Sequence, residues 1–200
     1  MHVSVVAAPK LETLGFIGDL CLSDDFSTLV FGSTVIQGLH IDKLITEVHT
    51  VKILALNMRN LCLDTIIELM RCFPCLEKLY IKSYFSRPGN LWRRKHRNLI
   101  RCLDLRLKAI VLTNYQGLKS QVNFVTFFAL NANLLESVTL GIEEKNNNEK
   151  FLAEQHMKLQ IKNGASKDVR LHFRIDRCFH SLWYAKDVRA YDLTDPFADI

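Results

Sequence analysis

Two hundred residues, 48% of them hydrophobic, make a chain able to bury ~70% of its unfolded surface and to fold as one domain or two small ones. No run of about 18 apolar residues occurs, which excludes a membrane-spanning helix, and six cysteines set within apolar patterns suit buried thiols in a reducing compartment rather than a disulfide framework. The net charge of +5 is concentrated: from Ser83 to Arg106 seven basic side chains face Asp104 alone, so the rest of the chain carries a net −1. The opening MHVSVVAAPK has no basic region before its short apolar stretch. It does not read as a signal peptide, and the expected location is cytoplasmic, nuclear or both.

An L-x-x-L-x-L spacing places its last two apolar side chains on one face of a strand, because strand side chains alternate. It occurs at Leu11/Leu14/Phe16, Ile36/Leu39/Ile41, Val51/Leu54/Leu56, Leu76/Leu79/Ile81, Leu107/Ile110/Leu112 and Leu135/Val138/Leu140. The starts lie 25, 15, 25, 31 and 28 residues apart, mostly in or near the roughly 20 to 29 residues of a leucine-rich repeat. A step of 15 is too short for a helical crossover, so either the second and third strands share a bare loop or one of them is misassigned. The third is the firmer of the two. Next, Leu63, Ile66, Ile67 and Met70 form an i, i+3, i+4, i+7 stripe. Thr65 with Glu68 matches a capping box, Asp64 is the alternative cap, and Pro74 ends the helix. Between Ser83 and Arg101 the turn signal Arg87-Pro88-Gly89-Asn90 and the run Trp92-Arg93-Arg94-Lys95-His96-Arg97 read as an insertion, which explains the 31-residue step.

The stretch from Leu103 to Ile142 is the unit on which the rest is patterned. Its two L-x-x-L-x-L strands flank Val122 to Leu130, an apolar helix stopped by Asn131 and Asn133. Glu143 to Glu149 is a polar loop ending in an Asn148 cap, and Phe151 to Lys162 is an amphipathic helix closed by Gly164. Val169, Leu171, Phe173 and Ile175 then alternate with Arg170, His172 and Arg174, a strand whose charged face would discourage edge pairing. The expected fold is α/β: a leucine-rich-repeat-like solenoid with a parallel sheet on the concave side and helices on the convex side.

L-K-x-I-V-L-x-N-Y-x-G from Leu107, followed by V-N-F-V-T-F-F-A-L-N-A-x-x-L-E from Val122, resembles the FBD domain at the C-terminal end of plant F-box/LRR-repeat proteins. C-F-P-C-L-E-K-L-Y-I-K-S from Cys72 and W-R-R-K-H-R from Trp92 resemble the repeats that precede it, so the resemblance runs from about Phe31 to Phe197. It implies a leucine-rich-repeat segment over 1–102 with a basic insertion near 83–101, an FBD domain over 103–182 continuing and capping the solenoid, and a tail over 183–200. It also implies the substrate-recognition part of a ubiquitin ligase adaptor, capturing a protein target. The chain shows no F-box and opens on the repeat at Pro9-Lys10-Leu11-Glu12, so docking onto the ligase linker subunit is not expected. At the helix start, where the wider family often has an acidic residue, stands Gln121, which removes a favourable charge but not the fold.

No motif for nucleotide binding, metalloprotease or serine hydrolase chemistry is present, and an enzyme is not expected. Cys72 and Cys75 have the spacing of half a zinc site, but neither Cys62 nor Cys102 brings a close partner, so no metal and no cofactor is expected. His156 and His172 lack ligand partners. The basic patch Arg93, Arg94, Lys95 and Arg97 reads first as a solvated face, next as an import signal or acidic-partner site, and last as a nucleic-acid contact with Trp92 available for stacking. A membrane partner is not expected. The residues alternating with the core positions of the repeats, His40, Asp42, Asn57, Tyr80, Lys82, Val111, Thr113 and Thr139, should form two columns on the concave face, a surface suited to a protein target with Tyr80 as anchor.

Overall fold

A computed structural model describes residues 12–18, 28–31, 34–37, 47–61, 63–85, 106–159, 165 and 168–176. Its strands are β1 Thr13–Gly18, β2 Thr28–Phe31, β3 Thr34–Gln37, β4 Ile53–Asn60, β5 Lys78–Phe85, β6 Ala109–Thr113, β7 Ser137–Ile142 and β8 Arg170–Ile175. Among the described residues three helices lie between the later strands: α1 Leu63–Cys72, α2 Lys119–Asn131 and α3 Glu149–Leu159. All eight strands join one sheet in the order β3-β2-β1-β4-β5-β6-β7-β8. From β1 through β4, β5, β6 and β7 to β8 every pairing is parallel, whereas β2 pairs antiparallel with both β1 and β3.

The register shows why the leucine spacing dictates this sheet. Leu54, Leu79, Ile110, Val138 and Leu171 stand side by side in one row, and Leu56, Ile81, Leu112, Leu140 and Phe173 in the next. Apart from the half-buried Leu171 and Phe173 on the edge strand, these side chains are at most 1% exposed and join one core with Ile66, Phe124, Val125 and Phe128 from the helices. Full burial of each such side chain contributes about 1.5–3 kcal/mol. In α1 the expected stripe is buried at Ile66, Ile67 and Met70 and half-buried at Leu63, with Leu69 added to it. The helix begins at Leu63, so Thr65 lies inside it rather than at its cap. In α2 the Phe124, Phe127 and Phe128 rings meet edge to face at 4.9 and 5.0 Å. Asn131 ends that helix by donating from Nδ2 to the Phe127 carbonyl at 2.7 Å. Asn148 caps α3, its Oδ1 accepting the Phe151 amide at 3.0 Å.

The second repeat is corrected. Ile36 lies in β3, a hairpin strand bound antiparallel to β2, and not in a parallel strand of the array. Its neighbours Leu39, His40, Ile41 and Asp42 lie outside the described residues. Two strands, β2 and β1, separate β3 from β4. The same hairpin flanks the first repeat: β2 pairs with β1, and Leu14 is 5% exposed. Ser83 to Phe85 at the start of the expected insertion belong to β5, whereas the rest of it with the basic patch, and the tail over 183–200, lie outside the described residues.

Candidate functional site

The sheet face opposite the helices is set by the residues between the core leucines. In register across the strands, Ala55, Tyr80, Val111, Thr139 and His172 form one row. Asn57, Lys82 and Thr113 begin the next, and Gly141 pairs with Arg174 at its far end. Lys78, Ala109, Ser137 and Arg170 form a third. Ala55 and Val111 are buried yet belong to no part of the helix-side core, as expected of the opposite face.

Of the expected contact residues, Tyr80 and Lys82 are adjacent in the strand alternation and half-buried. Asn57 takes its place in register between Gly18 and Lys82. Val111, Thr113 and Thr139 are 2%, 7% and 3% exposed, which corrects the idea that they stand free to meet a partner. The Thr113 hydroxyl lies 3.5 Å from the Ile81 carbonyl, where it donates. Among the described side chains of this face, Arg170 and His172 of β8 are exposed, and Tyr80 and Lys82 of β5 and Arg174 of β8 are half-buried. The alternation of β8 was legible in the sequence. Its place beside β7, which puts Arg170, His172 and Arg174 on the same face as Tyr80, was not.

At the C-terminal end of β6 the segment Asn114 to Gly117 builds a tight junction. Asn114 has φ 57°, a left-handed conformation that asparagine tolerates better than most residues. Its Nδ2 donates to the Ser83 carbonyl at 2.9 Å, and its Oδ1 accepts from Gln116 Nε2 at 3.0 Å. Its backbone N–H donates to Asp176 Oδ2 at 2.9 Å. Gln121, fully buried in the first turn of α2, accepts the Gln116 and Leu118 amides at 2.8 and 3.3 Å and donates to the Asn114 carbonyl at 2.8 Å. Tyr115 is buried, donating its N–H to the Gly141 carbonyl at 2.7 Å and its hydroxyl to Gln155 Oε1 at 2.9 Å. Burial raises its phenol pKa, and the Glu154 charge adds to the rise. Gly117 is positive in φ at 71°, and a methyl there would come 2.6 Å from Gln155.

Asp176 closes this junction from the end of β8. Its carboxylate lies over Gly141, where any side chain would overlap it. Burial raises its pKa, opposed by the Asn114 N–H and by the charges of Arg174 and Lys82. Sequence reasoning passed over Asn114 and Asp176; the only local signal was the N-Y-x-G turn. Elsewhere, Cys72 is buried and Cys75 half-buried, neither of them in a disulfide. Among the described residues no group of three or more His, Cys, Asp or Glu is placed to hold a metal ion.

A third feature runs along the strand starts. The second position of the repeats reads Glu12, Lys52, Glu77, Lys108, Glu136, alternating in sign across β1, β4, β5, β6 and β7. Backbone bonds link successive members: Lys52 donates to Glu12, Glu77 to Lys52, Lys108 to Glu77 and Glu136 to Lys108, at 2.7–2.8 Å. Side-chain bonds join Lys52 to Glu12 at 3.2 Å and Lys108 to Glu77 at 2.9 Å. The Lys108 bond holds the Glu77 carboxyl below the usual range, and Glu77 in turn raises Lys108.

Residues 1–81 match the model for the leucine-rich repeats of the FBD-associated F-box protein At5g56370, and residues 95–140 match the FBD model. Over these two segments the chain is similar to FBD-associated F-box proteins with leucine-rich repeats. The two FBD/LRR segments meet within one sheet, because the repeat match ends in β5 and the FBD match contains β6. The FBD segment supplies the N-Y-x-G junction and α2, and the repeat segment supplies Tyr80. No curated protein and no solved structure matches the chain.

Proposed function

We propose that this FBD/LRR chain is a non-catalytic protein-interaction module, the target-recognition part of an F-box-type ligase adaptor. In this reading the parallel sheet is the concave wall of a leucine-rich-repeat-like solenoid, and the target lies against the face opposite the described helices. The observation that carries it is the continuity of that face across both matched segments, with Tyr80 and Lys82 on the repeat side and Arg170 to Arg174 beyond the FBD junction. Such a wall recognises a protein surface through a mixture of aromatic and charged groups. Its site of action is the cytoplasm or nucleus.

Affinity capture with the double variant Tyr80→Ala/Lys82→Ala tests the reading. Capture of the target falls while circular dichroism keeps the wild-type spectrum. If capture survives that change but disappears when Arg93, Arg94, Lys95 and Arg97 are neutralised, the functional surface is the basic insertion. Steep weakening by salt would then mark a phosphate-bearing partner.

A further inference from the structure

On the face opposite the described helices the middle strands β6 and β7 carry only short side chains, most of them shut off from solvent. The long side chains stand on either side. Lys78, Tyr80 and Lys82 rise from β5, and Arg170, His172 and Arg174 from β8. Three strand spacings separate these two walls, about 14 Å. Along each wall the cations stand four residues apart, about 13 Å, with a ring between them. Two residues of an extended chain rise about 6.7 Å, so an extended chain lying along the strands would present a side chain toward the walls at each of these positions. Among the described residues the rows themselves hold four cations and no acid; Asp168 precedes β8 and Asp176 follows it, the latter fixed by the Asn114 amide over Gly141.

Resting on the reading of this face as the recognition surface, we infer that its partner is an extended polypeptide segment rich in Asp or Glu. Its carboxylates lie between Lys78 and Arg170 and beside His172. The position of Asp176 decides between this ligand and a nucleic-acid strand. A strand carries a phosphate at every step and must set one against Asp176, whereas a peptide can place a neutral residue there. Arg170 and Arg174 supply fork-shaped donors for carboxylates, which favours them over lysine in fixing a peptide's direction.

The probe is a fluorescein-labelled octapeptide of alternating Glu and Thr, read by anisotropy against the full chain, with the Gln/Thr peptide and a single-stranded octanucleotide as controls. The Glu peptide binds, the Gln peptide does not, and Arg170→Ser weakens binding about tenfold, as loss of a charge-assisted hydrogen bond does. Arg170 is exposed, so the variant keeps its fold, which hydrogen exchange at α2 verifies. Absence of Glu-peptide binding, indifference to Arg170→Ser, or equal or tighter binding of the octanucleotide overturns the inference. The broader reading is judged apart from it: target capture lost in the Tyr80→Ala/Lys82→Ala variant upholds a recognition face even where the acidic peptide fails.

Discussion

Gln121 holds three backbone groups that the start of α2 and the end of β6 leave without partners, and it does so from a fully buried position. An acidic residue here would accept the same two amides and gain from the helix dipole. It would lose the donor to the Asn114 carbonyl unless it kept its proton. Gln121→Ala should therefore cost about 1–3 kcal/mol, the usual consequence of stranding buried polar groups, measured as a drop in the urea midpoint. Gln121→Glu should cost less, and its deficit should shrink on acidification as the protonated carboxyl regains a donor. Asp176 makes the complementary case. Burial raises its pKa above the unfolded value, so its contribution is fully present below the unfolded pKa and is lost as pH rises through the folded one. Asp176→Asn keeps an oxygen to accept the Asn114 N–H and removes the buried charge. Its urea midpoint should exceed that of the wild type at pH 7, with the two curves converging toward pH 4. A variant less stable than the wild type at neutral pH would mean that the Lys82 and Arg174 attractions outweigh burial.

Among the elements, those with a hydrophobic period and a stop signal of their own were legible before any coordinates. The α1 stripe, the apolar α2 closed by Asn131, the Asn148 cap and the alternation of β8 all read directly, because each is fixed by neighbours within a turn or two. The repeat at Ile36 misled because spacing alone cannot distinguish a crossover strand from a hairpin strand; both need alternating apolar residues. Two sequence signals pointed the other way. One was the 15-residue step. The other was the charge at the second repeat position, which alternates from Glu12 to Lys52 without interruption, whereas the Ile36 unit has the neutral Gln37 there. The site was less legible than the fold. Parity sets Val111, Thr113 and Thr139 on the face opposite the core leucines, but burial depends on the height of side chains on neighbouring strands, which requires strand order. The Asn114–Asp176 contact joins residues 62 apart, beyond any local pattern.

Across the molecule, the two matched segments share one core rather than abutting as separate bodies. The rows Leu54–Leu79–Ile110–Val138 and Leu56–Ile81–Leu112–Leu140 cross from the repeat match into the FBD match without a break. The buried cluster runs from Leu14 to Leu159. At the first-repeat end the β2–β3 hairpin covers the side of β1 that a stacked repeat would otherwise occupy, closing the array with antiparallel hydrogen bonds. A shared core predicts shared unfolding. Ile66 lies in α1, is 0% exposed and belongs to the repeat match. Ile66→Ala should remove about 2–5 kcal/mol through lost burial and the cavity left behind. If the sheet unfolds as one cooperative unit, that loss reaches α2, although the substitution lies in the other segment. Hydrogen exchange followed through a urea titration should then show the amides of α1 and α2 losing protection at the same, lowered midpoint. Earlier opening of α1 with α2 unmoved would show that the FBD segment folds on its own and that the β5–β6 seam is a boundary between domains.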